Sequence, residues 1–197
     1  MKFHFEGLKA PQGRVFCNEP IEGLTVADLE AELNALKAKV QNLEDKEAVR
    51  TLRYRYHQYI NDDRFDEIAD LFTDDAVVEI GYVLRSAGRE EIHAAFVAMP
   101  SGVKFLKQFI HNHIVDVDGD AATGISYFEA KYAAKDGTSL VVAGKYDEDY
   151  VRTPDGWRIS RMVVELYFTT PLELGWAIEN PHFLGSGGKI EQQPTAG

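Results

Sequence analysis

The sequence predicts a single α+β domain in which N-terminal helices pack on one face of a strongly curved antiparallel sheet, forming a cone around an interior apolar pocket. Two observations lead to this prediction. Apolar residues of the first third recur at helical spacing, and most of the second half lies in long segments rich in β-branched and aromatic residues. Helices that precede a run of strands are typical of the α+β class. With 197 residues, of which 45% are hydrophobic, the chain can bury the core of one domain.

The first element is a helical lead-in, residues 25–44, which follows an irregular arm formed by residues 1–24. Thr25 and Asp28 approach the pattern of a capping box and so mark the helix start. The apolar residues of the lead-in alternate spacings of four and three, as in a short heptad seam: Leu29, Leu33, Leu36, Val40 and Leu43. This seam either packs against the chain's own domain or joins copies of the chain. Asp45 either ends this helix or caps the next one.

The domain proper, residues 45–170, begins with a second amphipathic helix whose apolar stripe includes Tyr56 and Tyr59. The polar run NDD breaks this stripe, and FDEIADLF is predicted to form a short helix. Asp74 and Asp75 then turn the chain into a strand that begins with AVVEI, a β-branched segment.

A further helix is predicted from Glu90 to about Met99, and four long strands follow it. The strands are VKFLKQFIHNHIVDV, ATGISYFEAKYAA, SLVVAGKYDEDYVRT and WRISRMVVELYFT. The sequences DGD, KDG and PDG separate them and favour hairpin turns. Residues 171–197 form a C-terminal tail, which we expect to be ordered to about residue 185 and flexible beyond it.

The acidic composition limits the classes of function. A net charge of −11 argues against nucleic-acid binding, because phosphate binding requires clustered Lys and Arg. No apolar run reaches the roughly 18 residues of a membrane helix, and the start of the sequence lacks the apolar core of a signal peptide. Cys17 is the one cysteine, which excludes an intrachain disulfide and a cysteine-based zinc site. These observations favour a soluble cytoplasmic protein.

Four segments in a fixed order carry a resemblance to a known family: LEDKEAVRTL, YINDDRFDEIADLFTDDA, NHIVDVDGDAATG and GKYDEDYVRTPDGWRISR. From Leu43 to Tyr167 the chain resembles the SnoaL-like branch of the nuclear transport factor 2-like (cystatin-like) superfamily. Within that branch it is most similar to scytalone dehydratase, bile acid 7α-dehydratase and hexachlorocyclohexane dehydrochlorinase. The resemblance implies a lyase that needs no cofactor and binds a bulky apolar substrate. It also implies an Asp–His pair that removes a proton while a hydroxyl or halide departs, and many members are trimers.

Amides occupy the family's two catalytic positions in this sequence. The resemblance places the catalytic Asp at Asn61 and the catalytic His at Gln108, and it places a functional tyrosine of the bile acid enzyme at Tyr56. Further polar positions of that enzyme fall on Ala130 and Leu166, which predicts a more apolar pocket. Because Asn and Gln do not ionise, the Asp–His mechanism does not transfer unchanged.

Other groups must then supply the acid and the base. The candidates are Tyr56, Tyr132, His111 and His113, and the amides that could orient a substrate or hold an oxyanion are Asn61, Gln108 and Asn112. We therefore predict that the catalytic residues are Tyr56, Asn61, Gln108 and His111. The predicted substrate-binding residues are Ile80, Asn112, Phe128, Tyr132 and Leu166. A shift of the alignment by one residue would instead place Asp62 and His111 at the two catalytic positions.

Each candidate also has a purely structural interpretation. Asn61 could cap the short helix, and Tyr56 could be a core residue of the helix stripe. His57 is expected on the helix surface. His111 and His113 are expected to share one face of their strand, where two histidines could ligate a metal. No third ligand is evident in the sequence, although Asp116 and Glu129 could approach, so no metal site is predicted.

The sequence therefore predicts a cofactor-independent lyase of the dehydratase type, or an isomerase, acting on a bulky aromatic or polycyclic small molecule. The alternative is a non-catalytic protein of the same fold that binds similar ligands and has lost the Asp–His pair, and a structural subunit is a third interpretation. The leucine seam and the aromatic tail predict a homo-oligomer, either a dimer or a trimer. Neither a nucleic acid nor a membrane is predicted as a partner.

Overall fold

The computed structural model describes residues 25–81 and 84–177. The predicted N-terminal arm and the tail beyond residue 177 lie outside the described residues. The chain divides into two compact units, Met1–Lys39 and Val40–Gly197. The described part of the first unit is helical, and the second unit contains the sheet and the packed core.

Helix α1 runs without a break from Val26 to Asn61. Its start is the predicted one, because the Thr25 amide donates to the Asp28 carboxylate at 2.8 Å and the Asp28 amide donates to the Thr25 hydroxyl at 3.2 Å. The prediction that Asp45 ends or caps a helix is wrong. Asp45 lies inside α1, and its carboxylate is satisfied by tertiary partners, an ion pair with Arg152 at 2.6 Å and a hydrogen bond from the Trp157 indole at 3.3 Å.

The chain after α1 turns at Asp63, whose φ of 59° is left-handed, and enters the predicted short helix as a 3₁₀-helix, Phe65–Leu71. Strand β1 then spans Phe72–Ile80 and contains Asp74 and Asp75, which the sequence assigned to a turn. These carboxylates lie where the pairing of β1 with β6 is irregular. The two acidic residues therefore mark an interruption of the hydrogen-bond ladder and not a turn of the chain.

The remaining elements include two that the sequence did not predict, a short strand and a 3₁₀-helix, and otherwise follow in the predicted order. They are β2 (Leu84–Ala87), α2 (Arg89–Ala98), a 3₁₀-helix (Met99–Gly102), β3 (Val103–Asp118), β4 (Ala121–Ala134), β5 (Ser139–Thr153) and β6 (Gly156–Pro171). The six strands form one curved, unclosed sheet in the order β2-β1-β6-β5-β4-β3. The α+β prediction is confirmed, with one correction: the sheet is mixed, because β1 pairs with β6 in parallel.

The core lies between α1, α2 and one face of this sheet. Buried residues alternate with exposed residues along β4 and with half-buried residues along β5, as expected when one face of a strand covers a core. The buried stripe of α1 is Asp45, Val49, Leu52, Arg53, Tyr56, His57 and Ile60. His57 is therefore buried, not on the helix surface as predicted, because the stripe is broad enough to include the residue next to Tyr56. None of the helices in the described ranges is long and apolar enough to cross a membrane.

Candidate functional site

Asn61 and Gln108, the two amide residues predicted to be catalytic, are joined at the end of α1 by the side chain of Asn61 and the backbone of Gln108. The Asn61 side chain donates to the Gln108 carbonyl oxygen at 2.7 Å and accepts from the Gln108 amide at 2.7 Å. This arrangement needs a donor and an acceptor on one side chain, which an amide provides and a carboxylate does not. Asn61 thus fastens the C-terminal end of the helix to strand β3.

We expect Asn61→Asp to lower the free energy of unfolding by about 1–3 kcal/mol, because the carboxylate cannot donate to the Gln108 carbonyl and would leave it unpaired. Urea unfolding at neutral pH measures this effect. The exposed neighbour Asp62 supplies a matched control, and Asp62→Asn should leave stability within about 0.5 kcal/mol of the original. Equal stabilities for the two variants would contradict the view that Asn61 holds the end of α1 against β3 through its two hydrogen bonds.

The Gln108 side chain continues from this contact into the interior. Its Oε1 atom accepts from the Tyr146 hydroxyl at 3.1 Å, and the Tyr146 ring lies edge-on to the Tyr56 ring with centroids 6.0 Å apart. Burial raises the pKa of Tyr146 to about 12, and burial together with the nearby Tyr146 raises the pKa of Tyr56 well above its ordinary value. Both phenols are therefore protonated at neutral pH, and the hydroxyl hydrogen of Tyr146 is donated to Gln108.

A buried ion pair lies beneath these tyrosines. The Arg53 guanidinium forms a bidentate contact with the Glu148 carboxylate, through its Nε atom at 2.9 Å and through one terminal nitrogen, and both side chains are fully buried. The guanidinium carbon also lies 4.4 Å from the centre of the Tyr56 ring and 4.2 Å from that of Tyr146. The interior is thus polar at its centre, in contrast to the apolar pocket that the sequence predicted.

The ion pair is linked to a buried histidine through Tyr150. The Tyr150 hydroxyl donates to Glu148 at 2.6 Å and lies 3.3 Å from the His113 Nε2 atom. A phenol has one hydrogen, and the carboxylate accepts it, so the second contact requires His113 to carry its proton on Nε2. The Nδ1 atom of His113 is then a lone pair, and it is buried without a hydrogen-bond partner in the described part of the chain.

A bulge in β3 separates the two histidines of that strand. Ile110 pairs with Phe128 and His113 pairs with Ser126, so three residues of β3 span two residues of β4. The prediction that His111 and His113 share one face is therefore wrong. His113 faces the core, while the His111 side chain is 51% exposed and lies 3.8 Å from the exposed Glu129 on the other face of the sheet.

Gly124 provides the space for the His113–Tyr150 contact. A Cβ atom at this position would lie 2.5 Å from His113 Nε2 and 2.9 Å from a ring carbon of Tyr150. We expect Gly124→Ala to displace these rings and to lower the free energy of unfolding by about 1–3 kcal/mol, measured in urea. Gly102 has open space around it, so Gly102→Ala is the control. An unchanged stability for Gly124→Ala would show that the His113 and Tyr150 rings do not pack closely against Gly124.

A second buried histidine, His57, lies near the same cluster. Its Nδ1 atom donates to the Arg53 carbonyl at 3.1 Å, one helical turn back, and its Nε2 atom is buried and unpartnered among residues 25–81 and 84–177. Burial, reinforced by the charge of Arg53, lowers the pKa of His57 to about 3 and that of His113 to about 4. Both imidazoles are neutral at physiological pH and expose lone pairs inside the domain.

These two histidines predict a loss of stability in mild acid. The unfolded chain binds protons at both residues below about pH 6.5, whereas the folded chain binds them only near pH 4 and pH 3, so stability is complete above pH 6.5 and falls as the pH decreases. For the more deeply buried His57 the slope is about 1.4 kcal/mol per pH unit. Urea midpoints between about pH 7.5 and 5 measure it, and His57→Phe should roughly halve the slope, because the contribution of His113 remains. A variant with the original slope would contradict this assignment.

The other predicted site residues are placed in different environments. Phe128 is buried, with its ring 4.6 Å from that of Tyr146, and Ile80, Tyr132 and Leu166 are partly buried against the core. Asn112 and Asp62 are exposed. The rings of Tyr56, Phe128 and Tyr146 fill the space where the pocket was predicted. A surface depression of about 490 Å³ lies away from it, beside Thr51, Arg55 and Trp157.

Sequence reasoning missed four residues of this cluster: Arg53, Tyr146, Glu148 and Tyr150. Three of them could have been found, because Tyr146, Glu148 and Tyr150 are spaced two residues apart in one predicted strand and must share a face. A carboxylate between two inward-facing tyrosines indicates a buried charge that requires a cation. Among the residues that the structure describes, no group of three or more His, Cys, Asp or Glu side chains is arranged to hold a metal ion.

Comparisons with known proteins agree on the fold. The model of the SnoaL-like domain family matches residues 41–163. An uncharacterized protein of Mycobacterium tuberculosis is 31% identical over 136 residues, which cover 68% of this chain and 92% of that protein. Two solved structures are similar in fold. One, from Novosphingobium aromaticivorans, is provisionally named a scytalone dehydratase (18% identity, 76% of this chain and 99% of that chain, TM-score 0.63). The other is a hexachlorocyclohexane dehydrochlorinase from Novosphingobium barchaimii (17% identity, 74% of this chain and 98% of that chain, TM-score 0.63).

Proposed function

This chain belongs to the SnoaL-like domain family, and from that premise we propose that it is a cofactor-independent lyase of the dehydratase type, or a closely related isomerase, for a bulky aromatic or polycyclic small molecule. The observation that carries the proposal is the neutral, buried His113 ring with an unpartnered Nδ1 atom, held through Tyr150 by Glu148. A buried lone pair without a partner costs about 1–3 kcal/mol, and a catalytic role is one of the explanations for such a group.

His113 is assigned as the general base in this proposal. Its Nε2–H donates to Tyr150, and Tyr150 donates to Glu148, so a proton taken up at Nδ1 would create an imidazolium linked to a carboxylate. The sequence favoured His111, but that side chain is half exposed on the face of the sheet away from the core. Burial makes His113 a weak base, which suits a carbon acid activated by a carbonyl or a phenol ring.

Tyr56 is assigned as the acid, because the hydroxyl hydrogen of Tyr146 is donated to Gln108. In a dehydration, His113 takes the proton from one carbon, and the electrons of the broken C–H bond form the new double bond. The hydroxyl on the adjacent carbon then leaves as water, with a proton donated by a phenol. The proton on His113 then returns to that phenolate. In an isomerisation the same base returns its proton to another carbon. Gln108 holds Tyr146 through its hydroxyl, and Asn61 holds the backbone of Gln108.

The aromatic rings of the interior support the substrate class. Tyr56, Phe128 and Tyr146 fill the space beside the cluster, so a ligand bound there would displace one of these rings and pack against the others. Phe128 lies against Gly144, where a Cβ atom would approach a ring carbon to 2.7 Å, so this ring has little freedom on that side. A flat aromatic ligand can make the same kind of ring–ring contact that the displaced protein ring made, which favours an aromatic substrate.

A non-catalytic binding protein is the second candidate, and one observation favours it. The pKa values of His57 and His113, about 3 and about 4, lie well below the range that is most effective for proton transfer at neutral pH. In that function the lone pairs would accept hydrogen bonds from a phenolic ligand instead of taking protons.

A mass-spectrometric screen separates the two candidates. The purified chain is incubated with a pool of phenolic and polycyclic alcohols, β-hydroxy ketones and diaryl compounds, and with Tyr56→Phe in parallel. Loss of water from one compound, or its conversion to an isomer of equal mass with a new retention time, supports the lyase or isomerase when Tyr56→Phe is slower. Saturable retention of a compound without conversion supports the binding protein. Neither conversion nor retention of any compound would contradict both.

A further inference from the structure

The N-terminal half of α1 presents an apolar seam to solvent. Six large apolar side chains follow one another at alternating spacings of three and four residues, and each is at least 50% exposed: Val26, Leu29, Leu33, Leu36, Val40 and Leu43. They occupy the a and d positions of a heptad repeat, with a at Val26 and d at Leu29. Contiguous exposed apolar surface of this kind indicates an interaction site.

We propose that this seam, residues 26–43, pairs with the same segment of a second copy of the chain as a parallel, two-stranded coiled coil. The three d positions are all leucine, and two of the three a positions are valine. β-Branched residues at a combined with leucine at d favour two parallel strands over three or four. The proposal concerns assembly and does not depend on the proposed catalytic function.

The charges that flank the seam fit a second copy of the same sequence. In a parallel pair, a g residue of one helix lies beside the e residue of the next heptad on the other helix. Glu32 at g would meet Lys37 at e, and Lys39 at g would meet Glu44 at e. Two-fold symmetry repeats both contacts, so all four flanking pairs are of opposite charge. The seam is complementary to itself along its length.

The seam also ends where the helix acquires other contacts. The next a and d positions are Glu47 and Arg50, which lie 3.8 Å apart on the same helix and are too polar to extend a coiled-coil core. The buried stripe that packs on the sheet is already established at Val49. The proposed contact is therefore about two and a half heptads long, which predicts a dimer that dissociates on dilution.

Sedimentation of the full chain tests the proposal. We expect the mass to rise toward twice the 22.1 kDa of one chain as the concentration increases through the micromolar range. Leu33→Lys with Leu36→Lys should raise the dissociation constant at least tenfold. Ala31→Lys with Ala38→Lys, at the f positions of the same helix, should leave it unchanged. Urea unfolding establishes that each variant is folded. A monomer at all concentrations, or a dimer unaffected by the seam variant, would overturn the proposal.

Charge reversal tests the parallel arrangement. Glu32→Lys alone should weaken the dimer, because it places two lysines in contact across the interface. Adding Lys37→Glu should restore the original dissociation constant, since each altered g residue then meets an altered e residue of opposite charge. In an antiparallel pair g residues face g residues, so the double variant would stay as weak as the single one or become weaker. That result would overturn the parallel coiled coil.

Discussion

Replacing Glu148 by glutamine is expected to lower the free energy of unfolding by about 3–5 kcal/mol, which would be the largest stability effect of any single conservative substitution proposed for this chain. The substitution keeps an acceptor for the Tyr150 hydroxyl and nearly the same volume. It leaves the fully buried Arg53 guanidinium without its counter-charge. Removing one member of a buried ion pair leaves the other as an uncompensated charge in an interior that solvates it poorly.

A double-mutant cycle in urea measures this coupling. Arg53→Met should be about as destabilising as Glu148→Gln, whereas the two changes together should cost much less than their sum, because no buried charge remains. The exposed pair Arg85–Glu79, 3.0 Å apart, is the control, and Glu79→Gln should change stability by less than about 1 kcal/mol. Additive effects at Arg53 and Glu148 would contradict the assignment of a charged, mutually dependent pair.

Replacing His113 by glutamine is expected to reduce the turnover of a converted compound about 100- to 10,000-fold, because the general base is removed while a polar side chain of similar length remains. Tyr150→Phe should reduce turnover less. It removes the acceptor that sets the His113 tautomer but keeps the imidazole in place. Initial rates followed by mass spectrometry, with urea midpoints for each variant, separate lost chemistry from lost folding.

Two further histidines make this experiment specific. His93→Gln, on the exposed side of α2, should leave turnover unchanged. His111→Gln tests the base that the sequence favoured, and the proposed site predicts little effect from it. A large loss at His111 with full activity at His113 would contradict the assignment of the base and would place the chemistry on the other face of the sheet.

The strands of this fold could be located from sequence because their signals are local. The four long strands match the predicted segments within about two residues, since alternation of apolar residues and the turn sequences DGD, KDG and PDG act over a few positions. The parallel contact between β1 and β6 could not be predicted in this way. Its two strands are far apart in the sequence, and hairpin signals determine only consecutive neighbours.

The candidate site was predicted only in part. Three of the predicted residues lie in one series of contacts, in which Asn61 bonds the Gln108 backbone, the Gln108 side chain bonds Tyr146, and the Tyr146 ring packs on Tyr56. Their catalytic roles stay a prediction. The ion pair was missed because Arg53 and Glu148 are 95 residues apart and each alone resembles an ordinary surface charge. His113 was assigned to the face of His111 because strict alternation assumes an uninterrupted ladder. One extra residue in β3 reverses the direction of every side chain that follows.

Nitrogen NMR of the histidine rings in the full, isotopically labelled chain tests the assignment of His113 as the base without any substrate. We expect His113 to carry its proton on Nε2, with an unprotonated Nδ1, and to stay neutral until about pH 4, in agreement with its lowered pKa. A proton on Nδ1, or titration of the ring near the ordinary histidine pKa of about 6.5, would contradict this assignment, since the base would then be solvated or already paired.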